Sequence, residues 1–440
     1  MKIWGLLCLV LLAGCEDDFK PVVDIIPAPE EGVQLLFKQI TIQPGEDIEF
    51  CTYFNLESAE TLSALGAKAF DKDGMRLDSP FLLQDMIVNN VDLDAQELAI
   101  NKIEIVASPG LHHVQLLALE NDSNDFDERH IFECGQDLFG GPLTGDVEPL
   151  FFTSLPDYAV EYQPGTARIL KRTEVDIQDE TRTRGPQLLY NFHYLNASDE
   201  PIEAEVLVNF HMVDRSTVVH PVRSAWWNFV YFDALPNETV TVDATGSFKV
   251  DVNLVGMTSH QHEIGKKFTY SMGGEQIYEN NTWAEPDYLT FPANTILAAG
   301  EPLDFTCEWF NPFKESRYFG LQADDEMCTA IVEYHPVDED AAAALLEQLR
   351  LDQKKNGGGG AGEGFFGNGV SLENFVPLPA ELVEQLRENP DSAVDILNGP
   401  IMCGIAANMK EMEEQYGRSP DTLADLQMLV DILGAFCGLE

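Results

Sequence analysis

Ala204-Glu-Val-Leu-Val-Asn-Phe-His-Met212 is the stretch on which the reading of this chain turns. Ala204, Val206, Val208, Phe210 and Met212 alternate with Glu205, Leu207, Asn209 and His211. A period of two puts the first set on the buried face of a strand and the second on the other face. Phe248, Val250, Val252 and Leu254 alternate in the same way with Lys249, Asp251 and Asn253. Pro109-Gly110, Gly140-Gly141-Pro142 and Gly273-Gly274 are turn signals that punctuate such runs. From about Val33 to Pro336 the pattern is therefore mainly β. A chain of 440 residues is too long for one ordinary core, and so many short strands fit two antiparallel sandwiches in tandem. Asn196-Ala-Ser-Asp-Glu-Pro201, polar and turn-like with a strand pattern on each side, is the expected boundary, giving sandwiches at 35–196 and 197–337.

The two ends differ from this middle. Lys2 precedes an apolar run from Ile3 to Ala13 that is short of the ~20 residues needed to span a bilayer. Leu12-Ala13-Gly14-Cys15 looks like a bacterial lipobox. Residues 1–14 are then expected to be a signal peptide, with Cys15 lipidated and 15–34 an acidic tether. The expected location is exported, on the periplasmic or outer-membrane surface, with lipid as the only membrane contact. After Pro336 the pattern turns helical. Asp338 is a candidate N-cap for a helix reaching Lys355, and Gly357–Gly362 is a flexible linker, so 338–369 reads as helix plus linker. In the expected helical region 370–440, Ser419-Pro420 starts a helix with Leu423, Leu426, Val430 and Leu433 on one face.

Asp and Glu number 75 against 26 Lys and Arg, a formal net charge of −49. Such a surface repels phosphate backbones and argues against a nucleic-acid partner. Of 8 cysteines, Cys8 would leave with the signal and Cys15 would carry lipid. The remaining Cys51, Cys134, Cys307, Cys328, Cys403 and Cys437 suit disulfides in an oxidising compartment, with about 15 pairings open. Proximity along the chain favours Cys307–Cys328 and Cys403–Cys437, which leaves Cys51–Cys134.

Only 9 histidines are present, and five sit in informative places. His260-Gln261-His262 ends a run of strand alternation, and a His-x-His pair on a strand shares one face. His112-His113 follows Pro109-Gly110; adjacent residues of a regular strand point to opposite faces, so their convergence needs a local irregularity. His193 lies in Tyr190-Asn-Phe-His-Tyr194. Asp325-Glu326-Met327-Cys328 offers a thioether, a soft ligand that suits Cu(I), whereas imidazole suits both copper oxidation states. Met327 also reads as a core residue beside a disulfide.

In the order His112-His113, His193-Tyr194, His260-Gln261-His262-Glu263-Ile264-Gly265, Asp325-Glu326-Met327-Cys328, the chain resembles the copper type II, ascorbate-dependent monooxygenases, the family of peptidylglycine alpha-hydroxylating monooxygenase and dopamine beta-monooxygenase. The resemblance covers about residues 35–337. It implies two jelly-roll-like sandwiches facing each other across a solvent-filled cleft. One copper ion would sit on His112, His113 and His193 and a second on His260, His262 and Met327. The implied chemistry is hydroxylation of a substrate C–H bond with O2 and a one-electron reductant such as ascorbate, on an organic substrate not named by the sequence; His260, His262 and Met327 would be the catalytic ligands. An arginine and a tyrosine that hold the substrate carboxylate in peptide-processing members are replaced here by Thr258 and Ile331, so a peptidylglycine substrate is not implied. The competing readings are a non-catalytic copper-binding or copper-storing lipoprotein and a metal-free adhesion module. Trp226, Trp227 and Trp309 read as sandwich core, and His130, His211, His220 and His335 match no motif.

Overall fold

The strands that the alternation foretells assemble into two antiparallel sandwiches. The structure, a computed structural model, describes residues 22–37, 39–56, 83–119, 131–133, 147–177, 180–320, 325–355 and 372–375. The signal segment, Cys15, His130, Cys134, the Gly-rich linker and residues 376–440, with Cys403 and Cys437, lie outside the described residues.

In the first sandwich one sheet runs His220–Pro221, Thr166–Lys171, Glu97–Ala107, Val206–Val213, Gly32–Phe37 and Leu83–Asn89, with Asp157–Glu161 also on Glu97–Ala107. The other runs Ile131–Glu133, Asp47–Asn55, Gln187–Leu195, Leu111–Leu119 and Val147–Thr153. Ala204, Val206, Val208, Phe210 and Met212 all enter the core between them, on the face that the period of two assigns. The opposite face of that strand is also covered: Leu207 packs against Val23 and Leu36, and Asn209 is fully buried.

The cover is the segment expected to be a free tether. From Val22 onward it lies on the sheet, because the fully buried Glu205 accepts hydrogen bonds from the backbone of Val22 (2.6 Å) and Val23 (2.9 Å). Gln34 donates to the Ile26 carbonyl at 2.9 Å, Asn209 to that of Pro27 at 3.1 Å, and Asn89 to that of Pro29 at 2.8 Å. A buried carboxylate needs donors, and this backbone supplies them.

The second sandwich has one sheet of Arg223–Asn228, Thr329–Pro336, Val252–His260, Leu289–Thr290 and Ile296–Leu297. Its other sheet has Glu275–Asn280, Gly265–Met272, Leu303–Phe310, Thr239–Phe248 and Glu373–Phe375. The alternation from Phe248 to Leu254 does not mark one strand. It straddles the turn between Thr239–Phe248 and Val252–His260, and Phe248, Val252 and Leu254 reach the same core from two strands. The expected boundary also moves. Ile202–Ala204, Val206–Val213 and His220–Pro221 still belong to the first sandwich, so the chain crosses over between Pro221 and Arg223. Asn196-Pro201 is a turn inside that sandwich: Asn196 bonds Ser198 and the Ile42 and Glu200 carbonyls with its own side chain. Polar turn chemistry marks a reversal equally well inside a domain.

Helix Glu339–Lys355 forms as expected, with Asp338 accepting from the Ala341 backbone N–H at 3.0 Å. Ala342 and Leu346 seat it on the second core. Cys307 and Cys328 are disulfide-bonded to each other. Cys51 is disulfide-bonded too, opposite Phe132 in the strand that leads to Cys134. Trp227 and Trp309 are core residues, whereas Trp226 is half-buried and packs edge-on to Phe152 of the first sandwich. Among the described residues no helix is long and apolar enough to cross a membrane.

The solvent-filled cleft implied by the resemblance is closed. Phe152 meets Trp226, Tyr158 meets Tyr288, and Gln163 donates to the Phe291 carbonyl at 2.8 Å. Val255 and Tyr288 of the second sandwich pack on the core of the first. The physical reason is that these facing surfaces are aromatic and hydrogen-bonded to each other, which leaves water nothing to solvate.

A Cβ on Gly246 would stand 2.3–2.5 Å from three ring atoms of Trp227. Gly246→Ala is therefore expected to lower the unfolding free energy by ~1–3 kcal/mol through overpacking. Urea denaturation measures this; an unchanged midpoint would mean that the Trp227 ring is free to move aside.

Candidate metal centre

Leu111–Leu119 and Gln187–Leu195 are neighbours in the centre of the first sandwich's second sheet. Val114 and Leu116 on one strand, and Tyr190, Phe192 and Tyr194 on the other, fill the core. The other face therefore carries His113, Asn191 and His193, and His113 pairs in register with His193. The register then slips: Tyr194 pairs with Leu111, leaving His112 as the extra residue of a bulge. Gly110 just before it has φ +97°. A bulge re-aims a side chain, and it turns His112 onto the face that His113 already occupies.

The outcome is three imidazoles aimed at one point. His112 Nδ1 lies 3.1 Å from His113 Nδ1 and 3.0 Å from His193 Nδ1. The outer nitrogens of His113 and His193 are occupied. Asn191 gives its amide N–H to Glu49 at 2.7 Å, so its Oδ1 accepts from His113 Nε2–H at 3.1 Å. His193 Nε2–H is donated to Asp47. A proton fixed on Nε2 leaves Nδ1 with a lone pair. Burial pushes the Glu49 carboxyl up, but its contacts with His113, His193 and Asn191 outweigh it and hold it at about 2. Burial, and then the neighbouring imidazoles, push His112 far below the usual imidazole range, and burial also lowers His113.

Such a donor set fits a metal ion. At most one proton on His112 can lie between the facing nitrogens. Metal–nitrogen bonds of about 2.0–2.1 Å at 90–110° put ligand nitrogens ~2.9–3.4 Å apart, which matches the observed spacing. His112, His113 and His193 together could hold a metal ion.

The second set lies at the end of Val252–His260. His260 closes that strand, and His262 sits in the turn beyond it, where Gly265 N–H donates to the His262 carbonyl at 2.9 Å. His262 Nδ1–H donates to the Asp325 carbonyl at 3.3 Å, which frees Nε2. His260 Nδ1 is buried without a hydrogen-bond partner among the described residues, an arrangement that a ligand would relieve. Glu326 joins this turn to Met327: one oxygen accepts from the backbone N–H of His262 at 2.6 Å and of Met327 at 2.8 Å. Ladder register agrees, since His260 pairs with Thr329 and the chains run antiparallel, which brings 262 beside 327. Met327 is buried. Burial raises the Glu326 carboxyl to about 8, against hydrogen bonds from His262, Met327, Trp309 and Ile264. Burial also lowers both imidazoles of this set, His262 to about 3.

The two sets are not apart. The ring centroids of His113 and His260 are 5.7 Å from each other, and Phe152 packs on both rings at 5.7 and 5.0 Å. Trp283, from the second sandwich, covers the half-buried His112 at 5.1 Å.

No family model matches the chain, and no curated protein matches it. Among solved structures it is similar to N-glycanase F (PNGase F) at 8% identity and a TM-score of 0.27, over 70% of this chain and 96% of that one. It is also similar to the VP2 subviral particle of infectious bursal disease virus at 12% identity and a TM-score of 0.13, over 71% and 73% of the two chains. At these scores the likenesses carry no argument about fold or activity.

Asp47, Glu49 and Asn191 support the triad yet stand in no motif. Glu49 pairs in register with His193 and Cys51 with Asn191, so Asp47 and Glu49 reach the site from the adjacent strand. Their only trace in the sequence is an acidic residue at every second position, at 47 and 49. Trp283 and Phe152 carry no sequence signal at all. Thr258 and Ile331 are register partners, both buried, and the Thr258 hydroxyl is spent on the Asp287 carbonyl at 2.9 Å.

Asp47→Asn and Asn191→Leu are each expected to weaken metal binding to the triad by about 10–100-fold, because the outer partner fixes tautomer and ring orientation. Titration calorimetry with Cu2+ reads the change, and unchanged affinity in both would show that the outer partners do not hold the tautomers.

Proposed function

We propose that this chain is a copper-dependent monooxygenase that hydroxylates a substrate C–H bond with O2 and a one-electron reductant such as ascorbate. In this reading one copper ion is held by His112, His113 and His193 and a second by His260, His262 and Met327. The observation that carries it is the convergence of three Nδ1 atoms, two of which, on His113 and His193, have their outer nitrogens already committed. Bound copper would supply one-electron redox chemistry and activation of O2.

The chain's own residues supply the setting. Asp47 and Asn191 keep His193 and His113 as Nδ1 donors. Glu326 ties the His262 turn to the Met327 backbone, while the Met327 side chain belongs to the second core. Thioether beside imidazole is a donor set suited to a copper ion that cycles between its two oxidation states. Phe152 and Trp226 exclude water between the sandwiches. Thr258 and Ile331 offer no charge to a substrate carboxylate, which supports a substrate recognised by some other group.

A second reading is a non-catalytic copper-binding or copper-storing protein, exported and lipid-anchored, on the same scaffold. Its favouring observation is the burial of His260 and His262, at 8% and 3% exposure.

Elemental analysis tests the two-site assignment common to both readings, and oxygen uptake separates them. Elemental analysis of the copper-saturated protein is expected to give two copper ions per chain; one or none would remove the two-site assignment. Oxygen uptake in the presence of ascorbate is expected to be copper-dependent and coupled to hydroxylated product. Met327→Ile should abolish that uptake while leaving reduction of the triad copper intact, as followed by loss of its EPR signal. Full uptake in Met327→Ile would mean that the thioether is a core residue only, and copper binding with no uptake in the native chain would favour storage.

A further inference from the structure

Arg168 is fully buried, on the Thr166–Lys171 strand of the first sandwich, and its partner Glu333 lies on the Thr329–Pro336 strand of the second. Arg168 Nη2 is 2.6 Å from Glu333 Oε1. The rest of the guanidinium is also engaged. Nε donates to Tyr162 at 3.1 Å, Nη1 to the Val222 carbonyl at 3.3 Å, and Nη2 additionally to Ser224. The carboxylate in turn accepts from the Tyr162 hydroxyl at 3.0 Å and from the Tyr288 hydroxyl. Val222 and Ser224 flank the crossover between sandwiches. One cation and one anion thus gather both sandwiches and the crossover into a single dry network.

Three features make this more than a stabilising contact. First, a planar guanidinium has a rigid fork of donors, so these partners are met together in only one relative orientation of the two sandwiches. Second, the network uses the same strands as the second donor set: Glu333 shares its strand with Thr329, the register partner of His260. Third, Gly256 gives Tyr288 its place. A Cβ there would lie 2.0 Å from the Tyr288 hydroxyl, and the ladder is irregular at that point. The strand that ends in His260 therefore leaves room for the phenol that reaches Glu333.

We infer that Arg168 and Glu333 are positioning residues, which hold the two sandwiches in the one arrangement that sets His113 against His260. The inference rests on the proposed reading in taking that contact as the meeting of two donor sets, but the geometry it predicts is independent of metal. The brace replaces an open approach of two lobes by a fixed one.

Nitroxides attached through a ketone-bearing unnatural side chain at the exposed positions 200 and 275, one in each sandwich, report the arrangement by pulsed EPR in the metal-free full chain. The native chain is expected to give one narrow distance distribution. Arg168→Met and Glu333→Leu, each leaving a lone buried charge, should lower the melting temperature and broaden the distribution. The double variant Arg168→Met/Glu333→Leu should recover the melting temperature, since a buried pair exchanged for apolar residues loses little stability, yet keep the broad distribution. Tyr288→Phe, which removes one donor and no charge, should broaden it less. A narrow native-like distribution in the double variant would overturn the inference and leave the pair as ordinary packing. In copper-loaded samples, electron–electron coupling between the two copper ions should weaken in the double variant at unchanged metal content. If the native chain binds fewer than two copper ions, the two-copper reading fails, while the nitroxide distances still decide the brace.

Discussion

Three facing imidazole nitrogens can share at most one proton, on His112, so lone pairs are forced to meet there. His112, His113 and His193 nevertheless stand with their Nδ1 atoms at 3.0–3.1 Å, and two of the three have their only other proton position tied to Asp47 and Asn191. The backbone imposes this convergence. Register pairs His113 with His193 across a fully formed ladder, and the bulge adds His112 to the same face. Such an arrangement suits a positive charge at that point and could hold a metal ion. The direction of the resolved pKa shifts follows from burial, which drives His112, His113 and His260 toward neutrality, the form that can donate a lone pair to a metal.

Much of this was legible from residue order. The alternation at Ala204–Met212 named the core face correctly because side-chain period in a strand is a local property. Asp338 was legible as a cap and Cys307–Cys328 as a pair for the same reason, since each rests on a short range of chain. Adjacent histidines need a local irregularity if both are to serve one site, and a bulge lies at that point. What was not legible was long-range. Asp47 and Glu49 serve the triad through a register set across 146 residues of sequence between Asp47 and His193. The apolar alternation from Phe248 to Leu254 concealed a turn because both strands happen to feed one core. Asn196-Pro201 reads as a boundary by composition because Asx-turn chemistry is the same inside a domain as between domains.

The acidic segment after Cys15 illustrates how composition can mislead about order. Glu30, Glu31 and the prolines before them have the content of a solvated linker. Yet Glu205, Asn209, Gln34 and Asn89 meet the backbone rather than the side chains of residues 22–29. Backbone donors and acceptors are present in any sequence, so a sheet face that offers buried polar groups can order a segment with little apolar content of its own. The hydrophobic share, Val23 and Ile26 against Leu36 and Leu207, is small beside it.

Apolar contact alone would not define how the two sandwiches meet. Phe152 against Trp226 and Tyr158 against Tyr288 are attractive over a range of offsets, because dispersion between rings depends weakly on sliding. Ring contacts would therefore permit His260 to approach His113 in several ways. A charge pair bonded through Nε, Nη1 and Nη2 and through both carboxylate oxygens behaves differently: shifting it by an ångström breaks several charge-assisted bonds at once in a medium that cannot replace them. The polar network at Arg168 and Glu333 therefore sharpens the arrangement that the aromatic surface merely favours. Five imidazoles from two sandwiches can then be held in one arrangement by groups that never touch them.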